Sequence, residues 1–426
     1  MPVGVVKVGE YVILQKQNYK KLHKFNKPNS CVSIGKDSVD LSAIEGCQYY
    51  SMFKMIPKGF RKQKEYELEL VQETVSLRDE IDIKTCGRDN RNIYDDGRSQ
   101  KLTANEIVEL QSDSSKASDI VETLITNSNT FHNKTEFSQD KYLKKKEKKY
   151  FEYIQILKPN LRNVIEVLYR LDPSKVQGLR IDTLSQIINM ANISCEGNHL
   201  LYDSGSCGLV AAAILSAMGD KSSGHLIHMH PGNMSQKQAL LAMNFNSEQY
   251  NKCISVNVYS VLRQFYQGCD THLTENVSEN GLKRKAKDDF EENAKVPKRS
   301  EHDTVDSISG EMLEKKKPKW HFDNIDAAKI LSSKLDSLVI VCKEDPQNIF
   351  SELSSFIKPG RPFVIYYNVI EPLQNLYVAL KSQSNVAALK LTCNWMRNYQ
   401  ILPERTHPEV MMSGSSGFLL TGYLLQ

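Results

Sequence analysis

The stretch LLYDSGSCGLVAAAILSAMGD, Leu200 to Asp220, restricts the fold more than any other part of this chain. An apolar run of strand length, a glycine-containing turn and an alanine-rich helix follow one another, as in the βα unit that opens a nucleotide-type cofactor site. In such units glycines let the backbone approach the ligand, and an acid ending the next strand, about 20 residues on, binds the ribose hydroxyls. Asp203 and Gly205 supply an acidic-x-Gly start, but Cys207 stands where a second glycine belongs and Leu209 where a third would be. The next strand, GHLIHMHPG, closes on His228, Met229 and His230 and offers no carboxylate. The expectation is a βα scaffold that holds no cofactor.

The surrounding rhythm supports the scaffold. From about Tyr150 helical and strand-like segments alternate: a helix over Thr183 to Ala191, the stretch above, then the strands HLIHMH and ISVNVY. Alternation of this kind argues for a parallel sheet with helices on both faces. The pattern breaks at about Gly268 and resumes near Trp320. Between them the chain is polar, charged and poor in aromatics, so it is expected to be a disordered insertion, about 269–321. It then continues with a helix at Ile325 to Leu335, the strands SLVIVC and FVIYY, and a terminal antiparallel pair.

Ahead of this part, from Val5 to about Glu73, the short β-prone runs YVILQ, CVSIG, YYSMFKMI and YELELV read as a small antiparallel barrel or sandwich. Thr103 followed by Glu106 is a capping box at a helix start, and Ile120, Val121, Leu124 and Ile125 share one face of a second helix. The fold class is therefore α/β, with a β-barrel domain at 1–88, a loop and helical linker at 89–149, and a Rossmann-like domain at 150–426.

Composition narrows the function classes. The 426 residues are 40% hydrophobic and 25% charged, ordinary for a soluble protein. Nine cysteines without a CxxC pair give neither a disulfide framework nor a zinc site, and of His225, His228 and His230 only the last two share a strand face. No long apolar segment reads as a signal peptide or a membrane span, so a soluble, intracellular protein is expected. Net charge is only +4, but the positive charge is gathered into blocks. KYLKKKEKKY, Lys141 to Tyr150, is one. The other is the pair of basic clusters Lys283 to Lys285 and Lys298 with Arg299, spaced like a bipartite nuclear-localisation signal.

A helix through Phe137 to Ile154 places Lys141, Lys144, Lys145, Lys148 and Lys149 along one side, with Tyr142, Tyr150 and Tyr153 along another. A solvated charged face is one reading of that pattern. Lysines for phosphates beside tyrosines for docking is the other, and nucleic-acid contact is the expectation taken here, with Lys146 included in the block.

The segments LDSLVIVCKEDP, FIKPGRPFVIYY, NWMRNYQILPERTHP and SGSSGFLLTGYLL lie in the order of the S-adenosylmethionine-dependent methyltransferase fold as used by tRNA 1-methyladenosine methyltransferases. Together with DNRNIYDDGRSQKLTANEI and TFHNKTEFSQDKYLKKKEKKY, they resemble the non-catalytic, RNA-binding subunit family of the eukaryotic enzyme that modifies T-loop position 58. The resemblance implies tRNA contacts at Asn90, Arg91, Asn92, Arg98, Ser99 and Gln100, at the Lys141 to Tyr150 block, and at Arg397 and Arg405. It also implies a catalytic partner subunit that binds the S-adenosylmethionine, assembly as two of each subunit, and a nuclear location. Asp345-Pro346 superficially resembles the family's catalytic Asp-x-Pro, but by strand register it falls about three residues late and reads as a loop-end acid. The alternative is that the chain is itself an S-adenosylmethionine-dependent RNA methyltransferase with an atypical pocket.

Overall fold

In the first part of the chain, period-two alternation produces strands with one face inward. The computed structural model describes residues 4–58, 65–72, 86–89, 91, 93, 99–113, 117–150, 153–268, 318–401 and 406–425. Strands β1 (Tyr11–Lys16), β2 (Tyr19–Lys24), β3 (Cys31–Ile34), β4 (Asp37–Asp40), β5 (Met52–Pro57) and β6 (Glu65–Val71) come first. Helices α1 (Ala104–Asp113), α2 (Ala117–Thr126) and α3 (Glu136–Tyr150) follow, then β7 (Tyr153–Leu157).

The first sheet runs β2-β1-β7-β5-β6-β4-β3, so β7 returns from the helices to lie between β1 and β5. This corrects two expectations. The helix foreseen through Ile154 ends at Tyr150. Residues 153–157, foreseen at the start of the Rossmann-like part, complete the barrel-like sheet instead. Ile154 and Ile156 are fully buried beside Val12, Leu14, Phe53 and Met55, and that two-residue period selects a strand once a sheet is there to receive it. Lys21 of edge strand β2 donates to the carbonyl of Ser33 in the opposite edge strand β3 at 2.6 Å, which nearly closes the sheet.

The second part contains α4 (Leu161–Leu171), α5 (Ile181–Met190), β8 (His199–Asp203), α6 (Leu209–Met218), β9 (Leu226–His230), α7 (Gln238–Ala242), α8 (Ser247–Asn251), β10 (Cys253–Asn257) and α9 (Val258–Gln267). After it come α10 (Lys319–Ser332), β11 (Ser337–Val341), α11 (Pro346–Leu353), β12 (Arg361–Tyr367), α12 (Glu371–Lys381), β13 (Val386–Trp395), β14 (Tyr399–Gln400), β15 (His407–Pro408) and β16 (Ser415–Leu424). Their main sheet runs β10-β9-β8-β11-β12-β16-β13. The first five strands are parallel, and β16 is antiparallel to both its neighbours. This is the order of the S-adenosylmethionine-dependent methyltransferase fold that the resemblance implied.

Every residue of β8, β9 and β11 is buried, as continuous apolar runs covered on both faces should be. Because β9 and β11 flank β8 on opposite sides, the topological switch point falls between β8 and β11, where open α/β sheets present their ligand crevice. Asn244 locks the two sheets together. Its Oδ1 accepts from the Tyr11 amide and its Nδ2 donates to the Tyr11 carbonyl, both at 2.8 Å.

Candidate nucleic-acid interface and cofactor turn

The turn after β8 is organised by its own acid. Asp203 is 6% exposed; its Oδ1 accepts from the amides of Gly205 at 3.0 Å and Ser206 at 2.8 Å, and its Oδ2 accepts from the Ser206 hydroxyl. Across the switch point Lys343 donates its amide to Ser204 Oγ at 2.9 Å, which joins the turn to the exit of β11. All of these donors and acceptors are consumed within the protein.

The glycine reading needs a correction in its cause. Cys207 has φ 57 and Gly208 φ 76, so the backbone keeps the left-handed shape that favours glycine although a cysteine occupies the first position. The Cys207 thiol donates to the Lys175 carbonyl at 3.1 Å, and Leu209 is fully buried in the core. What crowds the approach to Gly205 is two residues that the sequence did not single out. A Cβ placed on Gly205 would lie 2.4 Å from Lys343 Cε and 2.7 Å from Gln177 Nε2. Gln177 (φ 54) is held by the Tyr366 phenol, which donates to its carbonyl at 2.7 Å. Gly417 (φ 70) makes room for Tyr366, because a Cβ there would sit 2.6 Å from the ring. No local motif announces this arrangement, since Gln177, Gly205, Lys343 and Tyr366 meet only through the sheet order.

The end of β9 carries imidazoles where a ribose-binding acid would stand. Burial lowers the His228 pKa to about 4 despite the Asp203 carboxylate, with His230 and Lys237 adding to the fall. His228 Nε2 is 3.9 Å from Asp203 Oδ2, but a ring neutral at pH 7 makes no ion pair across that gap. Burial also lowers the His230 pKa. Asp345 takes a structural place, its Oδ1 accepting the Gln347 amide at 3.2 Å as the N-cap of α11. The set does not fit S-adenosylmethionine: the Lys343 and Gln177 side chains lie against Gly205, and no acid ends β9 to hold a ribose.

On α3 the polarity is reversed. Gln139 and Leu143 are buried on the inner side, Leu143 joining Val121, Ile125 and Phe131 in a small core. Lys141, Lys144, Lys145 and Lys149 are exposed. They span an arc of about 140° on the outer side, taking about 100° per residue. Lys144 pairs with Asp140 at 2.8 Å. Tyr142 packs edge-on to Phe131 with ring centroids 5.2 Å apart, and Lys146 lies over the Tyr142 ring at 5.1 Å. Burial lowers the Lys146 pKa, and the charges of Lys149 and Lys145 lower it further. The tyrosine thus docks the helix on the body while the lysines face outward; the Lys148 and Tyr150 side chains lie outside the described residues.

Both ends of the 86–100 loop are tied to the connector that precedes α3. Gly87 donates its amide to the Lys134 carbonyl at 2.9 Å, and Asn129 donates to the Ser99 carbonyl at 2.9 Å. The structure therefore ties the described ends of this segment, Gly87 and Ser99, to the residues just before α3, two regions that the sequence proposed separately. Arg91 is exposed and bonds Asp89 at 2.6 Å. The Gln100 amide donates to the Leu124 carbonyl at 3.0 Å, which fastens the loop to α2. Asn90, Asn92, Arg98 and Arg405 lie outside the described residues, as do the basic clusters at 283–285 and 298–299. Arg397 is half-buried in the turn that follows β13, at the edge of the second sheet.

The chain matches the Gcd10p family over residues 5–304. The mouse tRNA (adenine(58)-N(1))-methyltransferase non-catalytic subunit TRM6 is 31% identical over 97% of this chain and 87% of its own length. The subunit of the same name from Dictyostelium discoideum is 30% identical over 98% of this chain and 79% of its own. Among solved structures, tRNA (m1A58) methyltransferase TrmI from Aquifex aeolicus aligns with 99% of this chain and 100% of its own, at 11% identity and a TM-score of 0.45.

Proposed function

The chain belongs to the Gcd10p family, and from that premise we propose that it is the non-catalytic, tRNA-binding subunit of a tRNA (adenine-N1)-methyltransferase acting at position 58. The observation that carries the silent role is the crowded turn. Lys343 and Gln177 stand against Gly205, where a cofactor must come close, and the lysine ammonium opposes a sulfonium cation. The observation that supports the RNA-binding role is the outward lysine face of α3, with Gly87 and Ser99 tied to the connector that precedes it.

A chain without its own cofactor acts through another chain, so its partner is the catalytic subunit, in an assembly of two copies of each. The edge strand β13 supports this, because Trp395 at its end and Ile401 just beyond are exposed apolar groups of the kind an interface covers. The paired basic clusters at 283–285 and 298–299 support nuclear import. The rival reading, an active methyltransferase, requires both Lys343 and Gln177 to leave the turn. The deciding experiment incubates tRNA and labelled S-adenosylmethionine with this chain, with the catalytic subunit, and with both. Methyl transfer is expected only when the catalytic subunit is present. Methylation by this chain alone would overturn the proposal.

A further inference from the structure

The turn between β8 and α6 brings two donors together, one of them a buried amide with no acceptor among the described residues. Gln177 is 2% exposed, and its Nε2 has no hydrogen-bond partner. That atom and Lys343 Nζ lie 2.7 and 2.9 Å from one point, the position of a Cβ on Gly205. Two further lysines stand close. Burial and the Asp203 carboxylate raise the Cys207 pKa while Lys175 and Lys343 oppose them, and Lys237 acts on both His228 and His230.

The acids that face this cluster are each engaged elsewhere. Asp203 is bound into the turn, and Asp172 accepts from the amide and hydroxyl of Ser174 at 3.0 and 2.7 Å. Glu344 accepts the Lys343 amide at 3.2 Å and bonds Tyr202, while Asp345 caps α11. The ten-residue helix α6 begins at the same turn, and its N-terminal dipole also favours an anion there. A buried N–H without an acceptor is unfavourable, so an arrangement that keeps one beside the Lys343 ammonium is completed by an anion from outside.

We propose that the turn binds a phosphate group, with Gln177 Nε2 and Lys343 Nζ as its direct donors and Lys175 and Lys237 supplying the surrounding charge. A phosphate offers several acceptor oxygens to donors arriving from different elements, which one carboxylate does less well. Its source is either a free phosphate monoester such as a mononucleotide or the phosphodiester of an RNA strand. The site stands on the turn geometry alone and does not depend on the chain being non-catalytic.

The test is calorimetric titration of the full chain with inorganic phosphate, AMP and an RNA dinucleotide, repeated on Lys343→Ala and Gln177→Met. Lys343 is exposed, so its variant should keep the wild-type melting temperature. Gln177→Met keeps the side-chain length and removes only the amide. Saturable binding is expected, weakened about ten- to hundredfold in each variant, as the loss of a hydrogen bond to a charged group predicts. AMP binding tighter than phosphate assigns the site to a free monoester, and the dinucleotide binding tightest assigns it to RNA; either result supports the site. Binding equal in all three proteins, or no stronger than that of chloride or sulfate, means an adventitious ion only and overturns it. Such a failure leaves the non-catalytic reading standing, since that reading falls only if this chain methylates tRNA unaided.

Discussion

The turn after β8 and the helix α3 are opposite solutions to the placement of charge. At the turn the Asp203 carboxylate is buried and takes its hydrogen bonds from Gly205 and Ser206, so its charge is spent on shape. On α3 four described lysines are exposed, and Lys144 pairs with Asp140 of the same helix, so their charge faces away from the protein body. The difference separates an acid that holds the fold from lysines that serve a partner. Replacing Asp203 should therefore change stability, and replacing the α3 lysines should change binding.

The largest effect is expected at the helix. Replacing Lys141, Lys144, Lys145, Lys148 and Lys149 with alanine should weaken tRNA binding about a thousandfold at low salt. The salt dependence should become shallower by roughly 0.7 to 0.9 in log–log slope per lost phosphate contact. The melting temperature should stay near that of the wild type. Filter binding across a salt series, with calorimetry on the same proteins, checks both, and an unchanged slope would return α3 to a solvated face.

Next in size is Asp203→Ala, which strands the Gly205 and Ser206 amides and the Ser206 hydroxyl in a buried turn. A loss of about 3 kcal/mol is expected, from the cost of leaving buried donors unsatisfied. Chemical denaturation reads the loss, and tRNA affinity per folded molecule should not change. A parallel fall in both would erase the contrast between the two regions.

The third prediction concerns pH. The folded-state pKa of His228 is about 4, below the ordinary 6.5, so the unfolded chain binds this proton more tightly. The stabilisation from keeping the ring neutral is complete above pH 6.5 and is lost as pH falls toward 4. Between pH 7 and pH 5 the loss should be about 2 kcal/mol. In His228→Asn this slope should flatten, and a variant that kept the wild-type slope would show that another group sets it.

The smallest effect lies in the linker. Thr103 Oγ1 accepts the Glu106 amide at 3.3 Å, and Glu106 accepts the Thr103 amide at 2.7 Å. Thr103→Ala should cost about 1 kcal/mol, the usual worth of an N-cap. Amide exchange should quicken in α1 and leave the turn after β8 unaltered.

Legibility followed the range of the interactions. The capping box, the strands β1, β3, β5 and β6, and the βα stretch at Leu200 to Asp220 were readable because local period and turn chemistry act within a few residues. The outward face of α3 was readable for the same reason, since helical geometry alone separates Lys141 and Lys145 from Leu143. β7 was misread because KKYFEYIQIL carries no break strong enough to end a helix, and the choice of strand at 153–157 is made by the open place between β1 and β5.

The sequence by itself determined the alternating βα order, the loss of a ribose-binding acid at the end of β9, and the concentration of lysines on one helix. Each follows from residue type and spacing along the chain. Only the tertiary structure decided what fills the turn. Cys207 looked like the obstruction because it is adjacent, yet its sulfur turns to Lys175, while Lys343 reaches Gly205 across the switch point and Gln177 is held there by Tyr366. Sheet order brings those three residues together from far apart in the chain, and a pattern read along the chain cannot encode a contact set by the order of its strands.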